Sequence, residues 1–169
     1  MSYNVPLDSL MNIIDTALDK GYNVCWGGDV SGNGFDRKGL AQEDVKPTQE
    51  LRQQRFDTWD ATYDHVMLIY GKAKDQKGNE YYLVKNSWGE AGSHKGIWYM
   101  RKNYIALNTT YIFLNRHALW MRQTQESSEP NPVYFIAHPA IFSLRFKGKL
   151  FNAEIYSLKF EGILFEFEK

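Results

Sequence analysis

Thiol chemistry is almost missing from this chain, which has one cysteine, Cys25, among its 169 residues. No internal disulfide can form, and zinc sites built on cysteine pairs are excluded. Net charge is missing too, because 20 Lys and Arg balance 20 Asp and Glu. A neutral chain has no electrostatic footprint for nucleic acid or for an anionic membrane surface, so neither is expected as a partner. No apolar run approaches the roughly 20 residues that cross a bilayer. The N-terminus, Met1-Ser-Tyr-Asn-Val-Pro6, has no basic and no apolar region of the kind that addresses a chain for secretion. The compartment stays open, with a cytoplasmic location expected if Met1 is the true start.

What is present is globular in character. Apolar residues make up 43% and charged residues 24%, outside the range of disordered chains. Aromatic residues reach 15%, with 5 Trp and 11 Tyr, which suits packed and partly amphipathic surfaces. This length buries one ordinary core, so one domain with an appendage is expected.

Leu7, Leu10, Met11, Ile14 and Leu18 recur at helical spacing behind Pro6, and Gly21 supplies a stop. Tyr22 to Trp26 reads as a short strand broken by Gly27-Gly28. The glycine-rich stretch 27–48 reads as a long loop that is functional or wraps a neighbour. Pro47-Thr48 can open a short polar helix through Phe56. After loop 91–96, Ile97 to Met100 is a strand and 102–107 forms one or two helical turns. Asn108 to Asn115 reads as a final strand. The sum is an α+β fold: an antiparallel sheet or half-barrel with one N-terminal amphipathic helix.

Composition shifts near Trp120. The expected division is a domain over 1–120 and a linker with an aromatic-rich tail over 121–169. Residues 123–132 are polar and Pro-containing, as linkers are. Beyond them Ser143-Leu-Arg-Phe-Lys-Gly-Lys-Leu-Phe151 is echoed 14 residues later by Ser157-Leu-Lys-Phe-Glu-Gly-Ile-Leu-Phe165. Two copies make no solenoid, but each can fold as a hairpin.

The chemistry gathers between Thr62 and Gly89. Two apolar runs, the first begun by His65 and the second ended by Asn86, flank a turn at Gln76-Lys77-Gly78-Asn79. A hairpin closed there brings its open ends together, making His65 and Asn86 neighbours. In a Cys–His–Asn site a thiolate attacks the acyl carbon, an imidazole carries the proton, and an amide fixes the imidazole. Asn86 could accept from one ring N–H of His65, with Trp88 lying over that bond and excluding water. Spacing alone leaves a plainer reading open, a half-buried strand histidine and a turn asparagine.

The wording of the motifs goes further. Asp64-His65, Lys85-Asn86-Ser87-Trp88-Gly89 and Gly96-Ile97-Trp98-Tyr99-Met100 resemble the His- and Asn-bearing half of papain-like cysteine peptidases. Gly21-Tyr-Asn-Val-Cys-Trp-Gly-Gly-Asp-Val-Ser31, Phe35 and the turn Ala73-Lys-Asp-Gln-Lys-Gly-Asn79 are similar to the bleomycin hydrolase/aminopeptidase C branch. The resemblance covers about residues 5–119. It implies the right-hand domain of the papain-like fold and a peptide substrate. It makes His65 the base, Asn86 its orienting residue and Trp88 a support, with no cofactor. Self-assembly stays open, since members of the larger family form rings.

The nucleophile is the departure. The family carries it far upstream at a helix N-terminus, within a Gln-Gly-x-Cys-Gly-x-Cys-Trp-like signature that is absent here. Cys25-Trp26 imitates the end of that signature, yet it lies about forty residues before His65, against a papain-type spacing on the order of 130 or more. Cys25 is therefore expected to be a packed strand residue. The cysteine-bearing half-domain becomes an implied partner, and a non-catalytic peptide- or protein-binding module on the same fold is the alternative. His94, His117 and His138 share no metal-ligand spacing, and Asp29 and Asp36 lack that of a calcium loop. Asp64 either borders the cleft or caps its strand.

Overall fold

The computed structural model describes residues 2–119, 133–137, 145, 146, 149, 150, 158–160 and 163–165. After strand β1 (Ser2–Asn4), Pro6 delivers the chain into helix α1 (Leu7–Asp19) with its fixed φ, and its carbonyl accepts from Leu10 N at 2.9 Å. The expected stripe faces inward. Leu7, Leu10, Ile14 and Ala17 are buried, while Met11 and Leu18 pack against the core from its margin. Gly21 ends the helix in the left-handed region at φ 82°, which lets Tyr22 N reach back to Ala17 O at 2.9 Å.

Strand β2 (Val24–Gly28) runs through Gly27-Gly28, where the sequence predicts a break. The glycines are there for close packing. A Cβ on Gly27 would sit 2.2 Å from the Tyr111 ring, and one on Gly28 would sit 2.2 Å from the Asn108 carbonyl oxygen. The long loop that follows is likewise structured in part. It forms the small hairpin of β3 (Phe35–Asp36) and β4 (Leu40–Ala41), whose second strand lies beside the later strand β7 (Ile97–Arg101).

Helix α2 (Gln49–Asp57) opens where Pro47-Thr48 suggests, with Leu51 N donating to Thr48 Oγ1 at 3.1 Å. Strands β5 (His65–Lys74) and β6 (Glu80–Lys85) make the central hairpin, and α3 (Lys102–Asn108) follows β7. One N-terminal helix is thus joined by two shorter ones among the described residues. The last, α3, makes about two helical turns, as expected, and Tyr104 to Asn108 are all buried. Asn108 belongs to it, so strand β8 begins one residue later than expected and spans Thr109–Asn115. A 3-10 turn at Arg116–Ala118 follows.

The main sheet continues past the composition shift near Trp120. Strand β9 (Val133–Ala137), built from Val-Tyr-Phe-Ile-Ala, pairs antiparallel with β8 and parallel with β1. Beyond it, β10 (Arg145–Phe146) pairs with β11 (Lys149–Leu150), and β12 (Leu158–Phe160) with β13 (Ile163–Phe165). Each copy of the sequence echo makes one of these hairpins. The proposed linker 123–132 lies outside the described residues.

The sheet order is β1-β9-β8-β2-β5-β6-β7-β4-β3, with parallel pairs only at β1–β9 and β4–β7. The face under α1 carries Val24, Trp26, Met67, Ile69, Tyr82, Val84, Trp98 and Met100, all 1% exposed or less. Burying each such side chain is worth about 1.5–3 kcal/mol, so this face anchors the sheet. The hairpin carrying His65 lies at its centre.

Candidate active site

The closed end of the β5–β6 hairpin is set by local hydrogen bonding. The Asp75 carboxylate accepts from Lys77 N at 2.8 Å, Asn79 N at 2.8 Å and Asn79 Nδ2 at 2.7 Å. Gly78 supplies the left-handed residue at φ 83°. From there the register runs Lys74↔Glu80 to Leu68↔Lys85, with an irregularity between Ile69 and Gly71. His65 is the first residue of β5, and Asn86 directly follows β6.

The open ends do meet. His65 Nε2 and Asn86 Oδ1 are 2.8 Å apart. The same Asn86 oxygen accepts from Ser87 N at 2.7 Å, which fixes the amide's orientation and makes Nε2 the protonated ring nitrogen. His65 Nδ1 is then left as a proton acceptor. Asn86 is fully buried, and its Nδ2 has no hydrogen-bond partner among the described residues.

An aromatic cluster backs the pair. The Trp88 ring lies 4.9 Å from the His65 ring at 42° and is 40% exposed on its outer side. Its indole meets Phe35 edge-on at 6.2 Å and Trp98 edge-on at 5.7 Å, while Phe35 stacks on Trp98 at 5.7 Å. Phe35 comes from the hairpin within the glycine-rich stretch, so that stretch wraps round to support the site. Spacing gives no hint of Trp98 or Tyr104 as supports. Trp98 reads as a strand residue within a family-like motif and Tyr104 as a helix residue, until the ends of three elements converge.

Cys25 lies elsewhere. It sits in mid-β2 with Leu68 and Phe113 as Cα partners, is 8% exposed, and burial pushes its thiol up to about 12. His65 pairs with Gly28, three residues further along β2, or about 10 Å away. Strand alternation also puts the Cys25 side chain on the opposite face from the row of Gly28 and His65. This thiol cannot reach that imidazole.

The expected loop aspartate, Asp29, is a hub. The residue is 2% exposed, and its carboxylate accepts from Ser31 N (2.8 Å), Ser31 Oγ (2.7 Å), Thr62 N (2.7 Å) and Thr62 Oγ1 (2.9 Å). Burial works against the charge, but the bonds from Thr62 and Ser31 outweigh it and hold the carboxyl below its usual range. Asp64 caps the neighbouring chain, accepting from Val30 N at 2.9 Å, and burial lifts its carboxyl with the Asp29 charge adding. Asp36 caps a turn through Lys38 N at 2.7 Å. His94 is exposed with its ring edge-on to Tyr99, and His117 is exposed near the end of β8. His138 lies outside the described residues.

Residues 1–137 match the family model described as the Peptidase C1-like family. The chain belongs to that family. Among curated proteins it is similar to aminopeptidase C of Lactobacillus helveticus, at 23% identity over 155 residues, covering 85% of this chain and 34% of the relative. It is also similar to aminopeptidase G of Lactobacillus delbrueckii subsp. lactis, at 27% identity over 139 residues, covering 77% and 31%. Among solved structures, PepW of Lactobacillus rhamnosis HN001 superposes with a TM-score of 0.55 at 21% identity, covering 69% of this chain and 28% of that one. That likeness carries the fold. The chain is a papain-like member of the aminopeptidase branch, as its motifs imply, and spans about a third of the length of these curated relatives.

Proposed function

We propose that this chain contributes the base and its orienting residue, His65 and Asn86, to an aminopeptidase-type cysteine peptidase whose thiol comes from a half-domain outside this chain. The supporting observation is the 2.8 Å contact between His65 Nε2 and Asn86 Oδ1, with Nδ1 left free and Trp88 lying against the imidazole. In this reading Nδ1 takes the proton of an incoming thiol, and the thiolate attacks the peptide carbonyl. The imidazolium returns the proton to the leaving amine as the acyl-thioester forms. Water, activated by the same nitrogen, then releases the acid. Asn86 holds the ring through both proton transfers, and Trp88 keeps water off the Nε2–H···O bond. No step calls for a cofactor.

The isolated chain should then show no thiol-dependent hydrolysis of an aminoacyl fluorogenic substrate. Hydrolysis abolished by Cys25→Ala would overturn the reading. Coding sequence upstream of Met1 should hold an in-frame Gln-Gly-x-Cys-Gly-x-Cys-Trp-like segment. Co-expressing that segment with this chain should restore activity, and His65→Ala should lower it by about a hundredfold to ten-thousandfold. A binding module on the same fold is the second reading, favoured by the remoteness of the only thiol from His65. It predicts peptide binding that His65→Ala leaves unchanged.

A further inference from the structure

Two separate chains of contact lead to His65, and both start at Asp29. The first runs through the backbone. The Asp29 carboxylate takes both the N–H and the hydroxyl of Thr62, three residues before His65. Asp64 N donates to Gly28 O at 3.3 Å, and Asp64 Oδ1 accepts from Val30 N, so the residues on either side of Asp29 grip the same segment. The second runs through rings. Tyr104 Oη donates to Asp29 O at 2.8 Å, and the Tyr104 ring lies 6.4 Å from Phe35. Phe35 meets Trp88, and Trp88 lies on the imidazole. Asp29 N completes the anchor by donating to Asn108 O at 3.1 Å at the end of α3.

The geometry points to Asp29 as the positioning residue of the site, fixing both the strand entry that carries His65 and the aromatic cluster that covers it. A buried carboxylate with four donors from two segments tolerates no neutral mimic. In Asp29→Asn one oxygen becomes an NH2 group facing either Thr62 N–H or Ser31 N–H. A hydroxyl can turn away from that clash, but a backbone N–H cannot. With the NH2 toward Thr62, the segment 62–64 keeps only its Asp64 bonds. With it toward Ser31, the loop that carries Asp29 loosens, and the anchor for that segment loosens with it. In either case the His65–Asn86 contact is held less firmly. The functional meaning rests on His65 being the base, but the positioning itself does not.

The test reads the ring directly. In the full chain, long-range proton–nitrogen NMR reports the His65 tautomer, and solvent exchange reports how firmly the Nε2 proton is held. Asp29→Asn should mix the tautomers and speed Nε2–H exchange about tenfold, the factor that one ordinary hydrogen bond is worth. Thr62→Val, which loses only the hydroxyl bond, should give a smaller change in the same direction, and Thr62→Ser should restore the native signal. Thr62→Val keeps the test decisive if Asp29→Asn fails to fold. Asp75→Asn, at the far end of the same hairpin, serves as the control for mere destabilisation and should leave the His65 signals in place. Native His65 signals in Thr62→Val or Asp29→Asn, or an equal change in Asp75→Asn, would overturn the assignment. Because no activity is measured, a failure of the peptidase reading leaves this result intact.

Discussion

Each end of the β5–β6 hairpin is organised by one aspartate, and the likeness stops there. At the closed end Asp75 collects donors from Lys77, Asn79 and Tyr81, all within six residues of itself. At the open end Asp29 binds Thr62, 33 residues away, and His65 meets Asn86, 21 residues away. The first is local chemistry on a wetted turn. The second joins the loop after β2 to the chain entering β5 through the carboxylate of Asp29, a residue 2% exposed, with α3 bonded to its backbone. A turn can form while the rest of the chain is still disordered, and its loss costs only what it contributes. A junction of distant segments forms only when all of them are in place, so one lesion loosens every member.

That contrast can be broken in four ways. The largest effect is expected from Gly28→Ala, which puts a methyl group 2.2 Å from the Asn108 carbonyl beside the His65 row. Denaturation should show a loss of about 3 kcal/mol, because backbone rather than a flexible side chain must give way. A near-native melting curve would mean the open end is softer than its packing indicates.

Asp29→Asn should cost about 2 kcal/mol at neutral pH by stranding a buried donor. The pH dependence has a definite sign. The folded carboxyl titrates below its unfolded value, so its stabilising contribution is full above about pH 4 and is lost as pH falls through the folded value. Urea titrations of wild type and variant should therefore converge in acid and separate above it. A gap that widens on acidification would contradict the hub.

Asp75→Asn should lower the melting temperature less than Asp29→Asn does. Faster amide exchange should be confined to the turn around residues 75–79, since every donor it loses is local. Exchange spreading to the open end would erase the distinction between the two ends.

The smallest effect is expected at Asp64. Burial and the nearby Asp29 charge raise its folded value, so its ionised form weakens the fold at neutral pH. Asp64→Asn keeps an acceptor for Val30 N and should stabilise by only a few tenths of a kcal/mol, given its exposure. The gain should fade as pH falls through the raised folded value and be gone below about 4, where both states are protonated.

The comparison also explains what could be read in advance. The stripe of α1, the turn at Gln76-Lys77-Gly78-Asn79, the helix start at Pro47-Thr48 and the meeting of His65 with Asn86 are all legible. Each follows from a short-range period or from the fact that a hairpin closed at one end aligns the other. Cys25 as a packed residue is legible as well, since it lies inside an apolar run with no helix start after it. The glycines misled by type. Gly27-Gly28 read as a strand break, but they are where the Tyr111 ring and the Asn108 carbonyl come closest to β2. The glycine-rich stretch read as loop although Phe35-Asp36 and Leu40-Ala41 pair as short strands at the sheet's end, because two-residue strands leave no period to detect.

Residue order alone thus carried the meeting of His65 with Asn86, the family and the distance of Cys25 from His65. Those rest on residue identity and on contacts that a single hairpin creates. The support around the pair is legible only in three dimensions. Asp29, Tyr104, Phe35 and Trp98 come from four segments with no common spacing, and they become one support only where the ends of β2, β3, β7 and α3 converge. The physical reason is that hydrogen bonds and ring contacts depend on distance in space, and distance along the chain predicts that only within a turn, a helix or a hairpin.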